Sequence, residues 1–175
     1  PDALYLSQFK EHLLPDFPML PWKNSLHAEE KAKLKNLQDL IKNRLQIKLA
    51  LLCDGLLVGW SYGWQDSVHV GDFYMAGSLV LPAHRKRGLY SALVKKTLEL
   101  SQAEGFSAVR SRHSSANNAV LIAKLKLGFM IHGFEQDEVM GTLVKMIFHH
   151  HELRKKAAIF RAGKVRDGEV LDWLT

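Results

Sequence analysis

Cys53 is the one cysteine in 175 residues, which excludes an internal disulfide framework and a multi-cysteine zinc site. No apolar run approaches the roughly 18 residues that a membrane span needs. The opening stretch, PDALYLSQFKEHLLPDFP, lacks the basic segment and long apolar core of a secretory signal. Internal repeats and low-complexity linkers are missing too. These absences lead to the expectation of a compact cytoplasmic protein with no membrane partner.

What is present fits one globular domain with a core: 47% of residues are hydrophobic and 24% charged. Twenty-four basic against 18 acidic residues leave a net charge of +6. That balance favours an anionic partner, either nucleic acid, an anionic membrane surface or a phosphorylated small molecule. Charge alone does not choose among them, so its location must.

The pattern predicts a short helix over 4–14, stopped before Pro15, with Pro18 and Pro21 keeping the next stretch extended. Asn24 or Ser25 is a suitable N-cap for an amphipathic helix over 26–43, with Glu29 and Glu30 in its first turn. The period then changes. Strands are predicted at 47–53 and 56–65 around the Asp54-Gly55 turn, and at 73–81 before Pro82. A helix opening at Arg87-Gly88 runs to about 103, closed by Glu104-Gly105. A strand at 106–113, a helix at 118–127 and a strand pair at 129–134 and 143–149 follow. Glu135, Asp137 and Glu138 read as a solvated acidic turn. Strand and helix alternating in this way predict an α/β sandwich.

The segment with the most chemistry in it is Val80-Leu-Pro-Ala-His-Arg-Lys-Arg-Gly-Leu-Tyr-Ser91. A buried strand stops at a proline, and His84, Arg85, Lys86 and Arg87 lead into a glycine and a helix. The first turn of a helix has unpaired N–H groups and partial positive charge. Flanking arginines add charge-assisted bonds to any anion held there. Gly88 permits close approach or a positive φ. The loop lacks the G-x-x-x-x-G-K-[ST] of nucleotide hydrolases and the three glycines of a dinucleotide fingerprint. From the residues alone, a pyrophosphate site and a merely basic helix entrance stay open.

The same segment resembles the coenzyme signature [RQ]-x-x-G-x-[GA] of the GNAT acetyltransferase superfamily, with Arg85 and Gly88 at its first and fourth positions and Tyr90 departing from the last. Asp54-Gly55-Leu-Leu-Val-Gly59-Trp is similar to that family's hairpin, and NNAVLIAKLKLGF, from Asn117 to Phe129, to its later N-x-x-A…K-x-G-F segment. Order and spacing together cover about residues 45 to 148. The resemblance implies a mixed, mostly antiparallel central sheet flanked by helices. Two of its strands, 73–81 and 106–113, would splay at the coenzyme site. It also implies acetyl-CoA as cosubstrate and transfer of the acetyl group to a primary amine by direct attack. The implied coenzyme contacts are Leu79, Val80, Arg85, Lys86, Arg87, Gly88, Leu89, Tyr90, Ser91, Asn117 and Lys124. Lys124 stands where the family often has a tyrosine that protonates the leaving thiolate.

An ammonium must lose a proton before it attacks. The candidate catalytic groups are Tyr74 on the strand before the loop and His113 at the end of the next, with an imidazole pKa near 6.5 suited to proton transfer. His113 could equally be a loop histidine bonded to the following Ser-Ser-Ala-Asn turn. Residues 1–150 are expected to form the acetyltransferase-like domain, and 151–175 an extension that packs on it or forms a homodimer. His149-His150-His151 lacks a third ligand nearby, so no metal site is expected. Nucleic acid is not an expected partner. The alternative reading is a non-catalytic module of the same fold that binds nucleic acid or a protein.

Overall fold

The computed structural model describes residues 27–33 and 43–163, together with Ala3, Ser7 and Glu11. The expected helix over 4–14, the caps Asn24 and Ser25, and the chain beyond 163 lie outside the described residues, apart from those three positions. Of the helix expected over 26–43, residues 28–33 are described and helical, and the Glu30 carboxylate accepts the amide of His27 at 2.8 Å.

The order of elements is β1 (Gln46–Cys53), β2 (Leu56–Gln65), β3 (Asp72–Val80), α1 (Leu89–Ala103), β4 (Ala108–Ser114), α2 (Asn118–Lys126), β5 (Met130–Asp137), β6 (Gly141–His149) and α3 (Glu152–Arg161). The strands form one sheet in the order β1-β2-β3-β4-β6-β5, antiparallel except where β3 meets β4. This is the mixed, mostly antiparallel sheet expected. Asp54 and Gly55 turn β1 into β2 with φ of 51° and 79°, the left-handed pair that a two-residue hairpin requires.

The boundaries of β4 and β5 differ from the expected ones for visible reasons. β4 begins at Ala108, because the Phe106 amide bonds to Ser101 O (3.0 Å) and the Ser107 amide to Gly71 O (2.8 Å), closing the helix and a loop instead of joining the sheet. β5 runs on to Asp137, so Glu135 and Asp137 are strand residues, paired with Leu143 and Gly141. The turn falls after them, where the Asp137 carboxylate takes the amides of Val139 (2.9 Å) and Met140 (2.8 Å).

The core lies between the sheet and α1. Phe73, Val94, Val109 and Met146 are almost wholly buried, and Phe106 and Phe129 complete the cluster. Helix α1 buries Leu93, Val94, Thr97 and Ser101, a stripe at helical spacing. Its two polar members are satisfied: Thr97 donates to Leu93 O (2.9 Å) and Ser101 to Leu98 O (3.0 Å).

The decisive feature is the parting of β3 and β4. They pair in parallel for only three registers, Asp72–Ala108, Phe73–Val109 and Tyr74–Arg110. Past Tyr74, β3 carries an extra residue: Tyr62 opposes Gly77 and Gly63 opposes Met75, leaving Ala76 as a bulge. A bulge bends its strand and raises the local twist, which steers β3 from β4. From Met75 to Val80, β3 pairs only with β2, and from Ser111 to Ser114, β4 pairs only with β6. The closed end is clamped: Arg110 Nε donates to Asp72 (2.5 Å), whose other oxygen accepts Ser107 Oγ–H (2.8 Å).

Gly63 sits opposite this junction. A Cβ there would stand 2.3 Å from Tyr74 O and 2.7 Å from the Phe73 ring, so β2 can lie against the bulge only without a side chain. Gly63→Ala is expected to lower unfolding stability by about 2–4 kcal/mol in urea denaturation. Gly133→Ala, which meets nothing within 4 Å, should change it by less than about 1 kcal/mol.

Candidate functional site

The loop after β3 is built to expose amides. A single 3-10 turn at Pro82–His84 ends on Arg85, whose Nε donates to Val80 O at 2.9 Å and pins the side chain to the strand end. Lys86 (φ 62°) and Gly88 (φ 76°) both adopt left-handed backbone, with Arg87 between them. Such alternation turns successive N–H groups toward one side and makes an anion-binding concavity. The amides of Lys86, Arg87 and Gly88 meet no backbone carbonyl among the described residues. Those of Leu89, Tyr90 and Ser91 begin α1 and have no intrahelical acceptor. The side chains of Arg85, Lys86 and Arg87 are exposed. This basic loop follows the end of β3 that no longer pairs with β4.

The remaining predicted residues divide between the gap and the core. Leu79 and Val80 are buried and paired with Trp60 and Gly59 of β2, so their other edge borders the gap. The Tyr90 ring packs against the core, and burial pushes its phenol well above the usual range. Asn117 caps α2, its side-chain oxygen accepting the Val120 amide at 3.3 Å.

Lys124 is fully buried. Its Nζ donates to Ser111 Oγ (2.8 Å) and Met75 Sδ (3.3 Å), and lies 4.2 Å from the centroid of the Phe129 ring. Met75 and Ser111 are the first residues of β3 and β4 beyond the last pair that joins them. The ammonium therefore sits at the closed end of the gap, and burial pulls it down to about 7. Ser111 Oγ also lies 3.1 Å from His113 Nε2, so Lys124, Ser111 and His113 form one polar string on the core-facing side of β4.

Two sequence expectations about His113 need correction. It bonds to Ser111, not to the turn that follows it. Nor is its acidity that of a free imidazole: burial first, and the neighbouring Lys124 charge second, push it down to about 3. Near neutral pH it is an uncharged imidazole, far from the pKa at which a general base works well.

Tyr74 belongs to the opposite face of the sheet. Its hydroxyl accepts from Arg112 Nε (3.0 Å), and the guanidinium lies 5.5 Å from its ring centroid. Arg112 also pairs with Glu135 (2.8 Å), which lies 3.5 Å from Lys145. Trp64 and Tyr62 extend the aromatic surface beside Tyr74, with successive centroids 5.6 and 5.1 Å apart. Thus the two predicted catalytic side chains are separated by the sheet and do not meet.

The histidine run does not gather. β6 ends at His149, His150 Nε2 lies 3.0 Å from Ser101 Oγ, and His151 precedes α3. Among the described residues no three His, Cys, Asp or Glu side chains stand close enough to share a metal ion. No described helix is long and apolar enough to cross a membrane.

Sheet, bulge, parted strands and basic hollow define a class. The model of the Acetyltransferase (GNAT) family matches residues 6–129, and the chain belongs to that family. Solved structures share its fold at low identity. The yncA protein of Salmonella typhimurium, solved with its cofactor acetyl-CoA, superposes with a TM-score of 0.64 at 14% identity, covering 86% of this chain and 90% of that one. A Bacillus subtilis acetyltransferase in complex with CoA gives 0.57 at 15% identity, covering 67% and 84%. The ribosomal-protein-S18-alanine N-acetyltransferase from Escherichia coli gives 0.56 at 14%, covering 66% and 75%. No curated protein sequence matches this chain.

The depressed His113 makes stability depend on pH. Between about pH 3 and 6.5 the unfolded chain binds a proton there that the folded chain does not. Stability therefore falls as pH drops through that window. Denaturation at pH 6.5 and 4.5 should show a wild-type loss about 1–3 kcal/mol larger than that of His113→Gln. Equal losses would contradict a histidine held neutral in the fold.

Proposed function

We propose that this chain is an N-acetyltransferase that carries the acetyl group of acetyl-CoA to a primary amine by direct attack. The observation behind this reading is the gap that starts past Tyr74 and ends at the amides of residues 86–91. A pyrophosphate suits those amides, with Arg85, Lys86 and Arg87 adding charge. The pantetheine arm suits the free edge of β3 at Leu79 and Val80, since an amide-bearing arm can satisfy strand groups that β4 leaves unpaired. Asn117 caps α2 with its side-chain oxygen, and its NH2 is the donor we assign to the arm. Acetyl-CoA or CoA in solved relatives of this fold supports the choice of cosubstrate.

The thioester would then lie where the strands begin to part, between Tyr74 on one face and Lys124 on the other. We assign the acceptor amine to the Tyr74 side, whose aromatic and charged groups include Trp64, Arg112 and Glu135. Arg112 holds the Tyr74 oxygen as an acceptor, which leaves the phenol proton free to donate. His113, neutral and bonded to Ser111, is a positioning residue in this scheme.

Calorimetric titration with acetyl-CoA tests the reading, followed by thiol release across a panel of amines. Binding with acceptor-dependent thiol release is expected; no binding up to millimolar coenzyme would contradict it. Coenzyme binding without thiol release from any amine would favour a non-catalytic module. Arg85→Ala and Arg87→Ala should each weaken acetyl-CoA binding by about 1–3 kcal/mol, roughly 5- to 150-fold in Kd. Unchanged affinity in both would place the phosphates elsewhere.

A further inference from the structure

On the Tyr74 face of the sheet, donors outnumber the oxygens that could receive them. Arg112 of β4 stands opposite Lys145 of β6. Glu135 of β5 meets both: Oε1 accepts from Arg112 Nη1 at 2.8 Å, and Oε2 lies 3.5 Å from Lys145 Nζ. Arg112 Nε goes to the Tyr74 hydroxyl at 3.0 Å, which leaves Nη2 with no acceptor among the described residues. The next cation along β4, Arg110, is already shared between Asp72 and His132. Arg112 and Lys145 thus divide one carboxylate, and both stay open to solvent, at 37% and 42% exposure. Surplus N–H donors and positive charge, with no unspent carboxylate oxygen beside them, suit an anion and repel a further cation.

The spacing narrows where that anion sits in an acceptor. Tyr74 is the last residue of β3 that pairs with β4, so it stands where the strands part. Arg112 Nε is only 3.0 Å from its hydroxyl. An amine beside the phenol and an anion on the guanidinium must then belong to one small fragment. An α-amino acid has this form, since one carbon separates its nitrogen from its carboxylate. A planar carboxylate also matches the guanidinium fork, as a point charge does not. At a peptide N-terminus the same position is a neutral amide, and a lysine side chain carries no anion near its amine. On the β2 side of Tyr74, the rings of Trp64 and Tyr62 follow at 5.6 and 5.1 Å, a surface for an apolar side chain.

We propose that the acceptor is a free α-amino acid with an apolar side chain, its carboxylate held by Arg112 and Lys145. This rests on the acetyl-CoA reading above and gives that reading its substrate class. The ammonium first loses a proton to water. Its nitrogen then bonds to the acetyl carbon, the carbon–sulfur bond breaks, and the electron pair stays on sulfur. The second proton lost by nitrogen balances the one gained by the thiolate, so an N-acetyl amino acid and CoA leave. The carboxylate takes no part in the bond changes. Arg112 and Lys145 therefore sort acceptors by charge. Glu135 holds Arg112 in place and at the same time competes with the ligand for its charge.

The experiment compares acceptors that differ only at the carboxylate: phenylalanine, its carboxamide and phenethylamine, with the same three forms of leucine. Thiol release by the intact chain at saturating acetyl-CoA gives kcat/KM, and mass spectrometry identifies the N-acetyl product. In the wild type, the better amino acid should exceed its carboxamide and its decarboxylated amine at least about tenfold. The carboxamide has the less basic amine, so its larger free-base fraction works against this expectation. Arg112→Gln should bring the three forms within about threefold of one another, chiefly by raising KM for the amino acid. Glu135→Gln keeps an oxygen for Arg112 and removes the charge, so KM for the amino acid should fall about threefold. A wild type that uses the carboxamide or the decarboxylated amine as well as the amino acid overturns the proposal without any variant. An unchanged preference in Arg112→Gln, or an unchanged or higher KM in Glu135→Gln, overturns it too. So does release from other amines with none from these amino acids. No release from any amine, with acetyl-CoA bound, would instead bring down the transfer reading itself.

Discussion

Two parallel strands that stay joined for three residues and then separate set the terms for the rest of the molecule. Hydrogen-bonding groups on the facing edges of β3 and β4 lose one another past Tyr74, and buried backbone groups demand partners. The separation has a local cause in the Ala76 bulge and a local anchor in the Asp72–Arg110–Ser107 clamp. Bulge and clamp act in opposite directions within a few residues. Their balance fixes where the gap starts, and β6 keeps the far side of β4 straight by pairing with its whole length.

The charges follow that geometry. At the mouth, backbone amides and exposed basic side chains suit a multiply charged anion whose own charge and solvation are large. At the closed end the buried Lys124 meets a hydroxyl, a thioether and an aromatic face. Water screens the first and not the second, so similar residue types stand in different electrostatic surroundings at the two ends. The sheet also separates the aromatic and ionic groups around Tyr74 from the Lys124–Ser111–His113 string.

Much of this was legible in the residues. Asp54-Gly55 announced its hairpin, Gly88 and Gly105 bounded α1, and Arg85 to Ser91 marked a basic loop at a helix start. Period two placed Ser111 and His113 on one face of β4. What escaped the pattern depended on contacts between distant segments. Phe73 to Val80 reads as one mostly apolar strand, in which no residue type marks Ala76 as the bulge. Lys124 and Lys126 look alike in sequence, yet only Lys124 points inward, toward a methionine 49 positions earlier. His113 looked like an ordinary imidazole because burial and a neighbouring cation are invisible before the chain folds. Met75, which no motif singled out, matters through the place where it stands.

The central claim is that the open edge of β3 and the loop amides are two parts of one binding surface. Amide hydrogen exchange, followed residue by residue with and without acetyl-CoA, addresses it directly. Exchange should slow at the gap-facing amides between Met75 and Val80 together with those of residues 86–91. Protection confined to other strands, or to the loop with β3 unchanged, would contradict it.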